Sequence, residues 1–172
     1  LAALLPLAQR GIAIVGLEPS CLLTLRDEML AMGLGADAQT VAGQALMLEE
    51  FLAREAQAGR FRPALRPTQR QILVHGHCHQ KAFGTVPAAM AVLRLIPDAN
   101  PTLIESSCCG MAGSFGYEAA HHAVSMQMAE LSLLPAVRNA PEAVVVADGT
   151  SCRHQIADGA QREAIHAARL LA

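Results

Sequence analysis

Five cysteines carry the densest chemistry in this sequence: Cys21 in EPSC, Cys78 in HGHCHQK, Cys108 and Cys109 in SSCCGMAGSFG, and Cys152 in DGTSC. Each stands just past an apolar run that reads as a strand, or, for the adjacent pair, just past one shared run: GIAIVGL, QILVH, PTLIE and EAVVVA. In an open parallel sheet the carboxyl ends of the strands share one edge, and ligands bind in the crevice there. Five thiols dispersed along the chain would therefore converge. Cysteines used as small apolar filler would instead be scattered over strands and helix faces. An odd count, with no sign of secretion, also argues against a disulfide framework.

Thiolates are soft ligands for zinc, copper(I) or iron–sulfur clusters. Tetrahedral sites built from knuckles space their thiols by two residues or more, whereas Cys108 and Cys109 are adjacent. An adjacent pair reaches two irons of a polynuclear cluster more readily than one small ion, or acts as a redox-active vicinal pair. The ferredoxin spacing CxxCxxCxxxCP is absent. Gly110, Gly113 and Gly116 let the backbone turn sharply and approach a bulky inorganic centre, and Gly110 and Gly113 are the expected cofactor-binding positions. His75, His77 and His79 alternate; if the strand continues through them, they share one face and Cys78 takes the other. One or two of them are expected to orient cysteines, with His154 in a similar role beside Cys152. His121, His122 and His166 read as ordinary helix residues.

The positioning elements follow from hydrophobic period and punctuation. Strands are expected over 11–17, 71–75, 101–105 and 142–147. Helices are expected over 22–32, 43–57, 86–95 and 160–171, with 117–138 as one long helix or a pair broken near Pro135. Strand and helix alternate, and the strands are apolar throughout, which gives an α/β fold with a parallel sheet flanked by helices, Rossmann-like. The segment 58–70, with two prolines and several arginines, reads as an exposed linker. GIAIVGLEPSCLLTLRDEM and EAVVVADGTSCRHQIADGA align as strand, turn, Ser-Cys, helix, so two pseudo-repeated halves are expected: an incomplete first half over 1–57 and a second over 71–172.

With 52% hydrophobic and 16% charged residues, the 172-residue chain is far from disordered composition. A net charge of −2 and 3% aromatics leave nothing to neutralise phosphates or stack bases, which excludes a nucleic-acid partner. No apolar run approaches the roughly 20 residues of a membrane-spanning helix, and no signal peptide is evident. The expected setting is cytoplasmic, with any inner-membrane association arising through partners. Leu1 and the opening LAALLPLAQRG, which reads as a helix entered part-way, point to a piece of a longer polypeptide.

Cys78 in HGHCHQ, the Cys108-Cys109-Gly110 triplet and Cys152 in DGTSC together resemble the cysteine-rich CCG domain family, over roughly residues 72–172. That family includes the catalytic subunit of heterodisulfide reductase, the iron–sulfur subunits of glycolate oxidase and anaerobic glycerol-3-phosphate dehydrogenase, and the C-terminal part of FAD-linked oxidases. EPSCLLTLRDE with CCGMAGSFGYE is most similar to the fused FAD-linked oxidases of 2-hydroxy acids. The resemblance implies an iron–sulfur cluster, a 4Fe–4S type among those open, held by Cys78, Cys108, Cys109 and Cys152 with Cys21 as an additional ligand. It also implies FAD on another domain, and upstream flavin and ferredoxin-like domains as partners. The chain departs from the family's closing CxxC: Gly149 and Glu18 stand three residues before Cys152 and Cys21. Two alternatives remain open, a structural zinc site using three thiolates with His77 or His79, and a thiol–disulfide module working through Cys108 and Cys109.

Overall fold

The computed structural model describes all residues 1–172. The chain divides into two compact units, Leu1–Arg62 and Pro63–Ala172.

The first unit runs α1 (Leu5–Gln9), β1 (Ile14–Gly16), α2 (Pro19–Leu22), a 3-10 turn at Leu23–Arg26, α3 (Glu28–Ala31), α4 (Gly35–Gln44), β2 (Ala45–Met47) and α5 (Leu48–Gln57). β1 and β2 pair in parallel, Ile14 opposite Ala45 and Gly16 opposite Met47. Two expectations are corrected here. The helix expected over 43–57 is interrupted by β2, because pairing with β1 outweighs the helix propensity of Ala45, Leu46 and Met47. The helix expected over 22–32 is three short pieces: Asp27, at φ −128° and ψ −88°, leaves helical geometry between the 3-10 turn and α3. The unit's core gathers Ala8, Met29, Ala38 and Val41, with Leu4, Leu5, Ile14 and Leu25 against it.

The second unit runs β3 (Ile72–His75), α6 (Cys78–Ala82), α7 (Val86–Leu93), β4 (Pro101–Leu103), a 3-10 turn at Phe115–Tyr117, α8 (His122–Glu130), α9 (Leu133–Arg138), β5 (Val144–Ala147), α10 (Thr150–Ala160), β6 (Ala164–Ile165) and α11 (Ala167–Leu171). The strands form one sheet in the order β4-β3-β5-β6, every pair parallel. The fold is therefore α/β with parallel sheets flanked by helices. Period-two alternation divides the strands between two cores. Leu73, Val145 and Ala147 face Leu133, Val137 and Ile156 of α9 and α10. Ile72, Val74 and Val146 face Val86, Met90 and Leu93 of α7 and Ala167 of α11. Both faces are covered, as an all-parallel sheet requires. Pro101, without an N–H, opens the edge strand β4, where it costs no ladder bond.

Three further expectations are corrected. The closing helix is shortened by β6, which adds a parallel edge to β5 at 164–165. The 117–138 stretch becomes helical only at His122 and is the pair rather than the single helix, broken at Leu131–Ser132, with Pro135 inside the first turn of α9, where its missing N–H has no intrahelical partner to lose. β3 ends at His75, so His75, His77 and His79 do not share a strand face. The chain turns at Gly76, and His77 becomes the N-cap of α6.

Topology decides where a crevice opens. From β3 the chain crosses to β4 on one side, and from β5 it crosses to β6 on the other. The carboxyl ends of neighbouring β3 and β5 thus form the switch point at which open α/β sheets bind ligands.

Candidate metal centre

Each cysteine of the second unit is delivered to that switch point from the end of a strand. β3 ends at His75, opposite Ala147 at the end of β5. Cys78 is the first residue of α6, two residues beyond Gly76. Cys152 is the third residue of α10, after the Asp148-Gly149 turn that follows β5. Cys108 and Cys109 sit in the loop beyond β4. Cys109 and Cys152 are buried, and Cys78 and Cys108 are half-buried.

The sulfurs are close enough to share protons. Cys109 Sγ and Cys152 Sγ are 3.3 Å apart. Cys108 accepts hydrogen bonds from the thiols of Cys109 and Cys78 and from the Gly110 amide, at 3.3 Å, and these hold its own thiol far below the ordinary range. The same interactions push its partners up: Cys78 through its bond to Cys108 and then burial, Cys109 through its bonds to Cys108 and Cys152 and then burial. Cys152 is lowered to about 5, first by the Cys109 thiol against the opposing effect of burial, with the His75 and His77 imidazoles acting in the same direction. The four thiols therefore titrate as one coupled group, with Cys108 and Cys152 drawn down while Cys78 and Cys109 are pushed up. A cation placed among them would replace the remaining protons.

Several groups fix this arrangement. His75 is buried, with Nδ1 2.9 Å from Ser106 Oγ, and a ring nitrogen of His75 and the sulfurs of Cys109 and Cys152 all lie within 4.8 Å of one another. His77 Nδ1 accepts from the His79 amide at 3.2 Å and lies 3.7 Å from Cys78 Sγ. Gln80, fully buried, accepts from the His77 amide through Oε1 at 2.9 Å and donates through Nε2 to Asp148 Oδ2 at 2.7 Å. Asp148 Oδ1 in turn accepts from the Ala167 amide at 3.0 Å. This buried bridge joins the start of α6 to the turn after β5 and to α11. Lys81 Nζ donates to the carbonyls of Ser106 and Ser107, the latter at 2.8 Å, and so ties α6 to the cysteine loop. Burial lowers its pKa, opposed by the attraction of the nearby cysteine sulfurs, Cys152 and Cys108 foremost.

Gly110 has φ +92°, and a Cβ there would stand 2.1 Å from the Ser125 carbonyl oxygen; Gln155 of α10 also closes on this point, donating to that oxygen and to Ser125 Oγ, both at 3.0 Å. Gly113 has φ +68° with open space around it. At Gly149 a Cβ would meet the His77 ring at 2.4 Å and Cys152 Sγ at 3.2 Å, so the position three before Cys152 is small because an imidazole fills that room.

Cys21 lies in the first unit, exposed, as the third residue of α2 after β1. That place matches Cys152, third in α10 after β5. His154 is exposed and hydrogen-bonds Tyr117 Oη at 2.6 Å, so its partner is Tyr117 rather than Cys152. Sequence reasoning missed Ser106, Gln80 and Lys81; the last two lie inside HGHCHQK itself, one and two residues past His79, where an i to i+3 relation to His77 and Cys78 was legible.

Among curated proteins, the chain is similar to a subunit of the anaerobic glycerol-3-phosphate dehydrogenase of Escherichia coli K12, 27% identical over 163 residues, covering 95% of this chain and 40% of the relative. It is 32% identical over 152 residues to D-2-hydroxyglutarate dehydrogenase of the same organism, covering 87% of this chain and 14% of the relative. The counterpart from Pantoea ananatis is 28% identical over 150 residues. The chain thus spans two fifths or less of the length of these relatives. No protein-family model and no solved structure matches it significantly.

Proposed function

We propose that this chain is the iron–sulfur electron-transfer segment of a FAD-linked dehydrogenase that oxidises 2-hydroxy acids of the lactate, glycolate or 2-hydroxyglutarate type. The observation that carries the reading is the gathering of Cys78, Cys108, Cys109 and Cys152, from three strand ends, at one switch point. The donor set fits the group: four soft sulfurs, an amide aimed at one of them, and a buried imidazole beside two. The names of the relatives support a dehydrogenase context.

When bound, the cluster would supply a one-electron carrier. The chain's own residues bind and shield it. Cys78, Cys108, Cys109 and Cys152 are its ligands in this reading. The Gly110 amide offsets negative charge on sulfur, and Lys81 sets a cation beside the same group. Burial of Cys109 and Cys152 excludes water from the inner side, while the half-exposed Cys78 and Cys108 face the surface from which electrons arrive. A flavin domain and ferredoxin-like clusters elsewhere in the parent protein are the partners in this reading, and attachment to a membrane would come through such partners. No helix of the chain is long and apolar enough to cross one.

Anaerobic reconstitution with iron and sulfide, followed by metal analysis and EPR of the reduced sample, tests the proposal. Bound iron with stoichiometric sulfide and a cluster signal lost in Cys108→Ser is the expected result. One equivalent of tightly held zinc without sulfide would replace it with the structural-zinc reading, which the proximity of His75, Cys109 and Cys152 favours.

A further inference from the structure

His75 is a buried histidine beside the sulfurs of Cys109 and Cys152. It closes β3 and is 1% exposed. Nδ1 lies 2.9 Å from Ser106 Oγ, and that hydroxyl has an acceptor of its own in the Ile104 carbonyl, at 3.5 Å. Nε2 is buried with no hydrogen bond of good geometry, and the group the ring acts on is the Cys152 sulfur. An imidazole nitrogen sealed from water without a hydrogen bond of good geometry forfeits its solvation, and such groups in a folded protein call for an explanation. The explanation stands beside it: the ligand atoms of His75, Cys109 and Cys152 lie within 4.8 Å of one another, the spacing of donors around a single metal ion.

We propose that His75 is itself a ligand of the metal centre, binding through Nε2 to the metal atom that Cys109 and Cys152 also hold. The arrangement is the one that ligating histidines generally adopt, with the second nitrogen fixed by an oxygen of the protein so that tautomer and ring orientation are set before metal arrives. With metal bound, Nδ1–H would donate to Ser106 Oγ and the hydroxyl to the Ile104 carbonyl, leaving the Nε2 lone pair for the metal. The centre would then have mixed sulfur and nitrogen ligation. A neutral imidazole in place of a fifth anionic thiolate makes it less negative, which raises its reduction potential, as histidine ligation does in other iron–sulfur centres.

The inference rests on the cysteine group being a metal centre, and the test separates the two. The whole chain is reconstituted anaerobically with iron and sulfide, reduced, and examined by pulsed EPR, with one sample grown on 15N-histidine. The expected result is a strong nitrogen hyperfine coupling that changes isotope pattern with the label and is lost in His75→Asn. His75→Cys should still load iron and shift the midpoint potential to a more negative value, which a merely structural role would not do. Iron and sulfide bound without a strong histidine coupling would overturn the role of His75 and leave the cluster standing. If iron and sulfide do not bind, cobalt(II) alone is titrated into the reduced chain. A cobalt–nitrogen coupling lost in His75→Asn would then keep His75 and overturn the iron–sulfur reading. Binding of neither metal would overturn both.

Discussion

At the scale of single residues, the cysteines differ in ways that chemistry can read. Cys21 is exposed and Cys108 is half-buried with its thiol pKa drawn down, whereas Cys109 and Cys152 are buried. Alkylation near pH 7 should therefore mark Cys21 and Cys108 first and the buried Cys109 and Cys152 last. Peptide mapping over time checks the order, and metal loading should protect Cys108. Protons held by Cys78 and Cys109, whose pKa values are raised, must leave when metal binds. Affinity should thus rise with pH, by up to about tenfold per unit for each proton released, and a zinc or cobalt titration across pH 6 to 8 measures it. Gly110 and Gly113 separate strain from collision. Gly113→Ala should cost about 1 kcal/mol for its positive φ. Gly110→Ala adds a clash with the Ser125 backbone and should cost at least about 3 kcal/mol, read from urea unfolding of the two variants side by side.

At the scale of elements, the strand ends carry the site and a buried polar bridge sets their spacing. Gln80 links the His77 amide to Asp148 across 68 residues of sequence. Gln80→Leu would leave a buried carboxylate and a buried amide without their partner, and it should destabilise by about 2–4 kcal/mol and weaken metal binding. Denaturation with and without metal checks both effects. The elements were largely legible in the sequence where the pattern was long and apolar: ILVH and VVVA are buried on both faces and became β3 and β5. Elements of two or three residues were not. β2 and β6 are strands only because β1 and β5 lie alongside, and Ala45–Met47 or Ala164–Ile165 carries no local signal that overrides the helical pattern around it. The histidine alternation misled for the opposite reason. Its period was that of a strand, but Gly76 ends the strand at once, where a Cβ would stand 2.8 Å from Val86.

At the scale of the whole molecule, two units share a local design, parallel strand, Ser-Cys at the start of a helix, parallel strand, helix: β1, α2, β2, α5 in one and β5, α10, β6, α11 in the other. The second unit adds β3 and β4, and with them Cys78, Cys108 and Cys109. That cysteines would meet at strand ends could be argued from sequence, because parallel strands put all their carboxyl ends on one edge. Which polar groups would brace them could not, since Gln80 meets Asp148, and Lys81 meets Ser106, only through the fold. An electron-transfer segment should have no dehydrogenase activity by itself. In the parent protein, Cys108→Ser and Cys152→Ser should leave flavin reduction by the hydroxy acid intact while cutting electron delivery to the acceptor by a factor of about 100 or more, as expected when one carrier in a series is lost. Stopped-flow flavin absorbance and steady-state acceptor reduction separate the two steps.

Diffraction from the anaerobically prepared, iron-loaded chain, with anomalous data collected at the iron edge, bears most directly on this account. Iron peaks within bonding distance of the sulfurs of Cys78, Cys108, Cys109 and Cys152, at the carboxyl ends of β3 and β5, are the predicted result. Iron bound elsewhere, or these four sulfurs paired as disulfides with no metal between them, would contradict it.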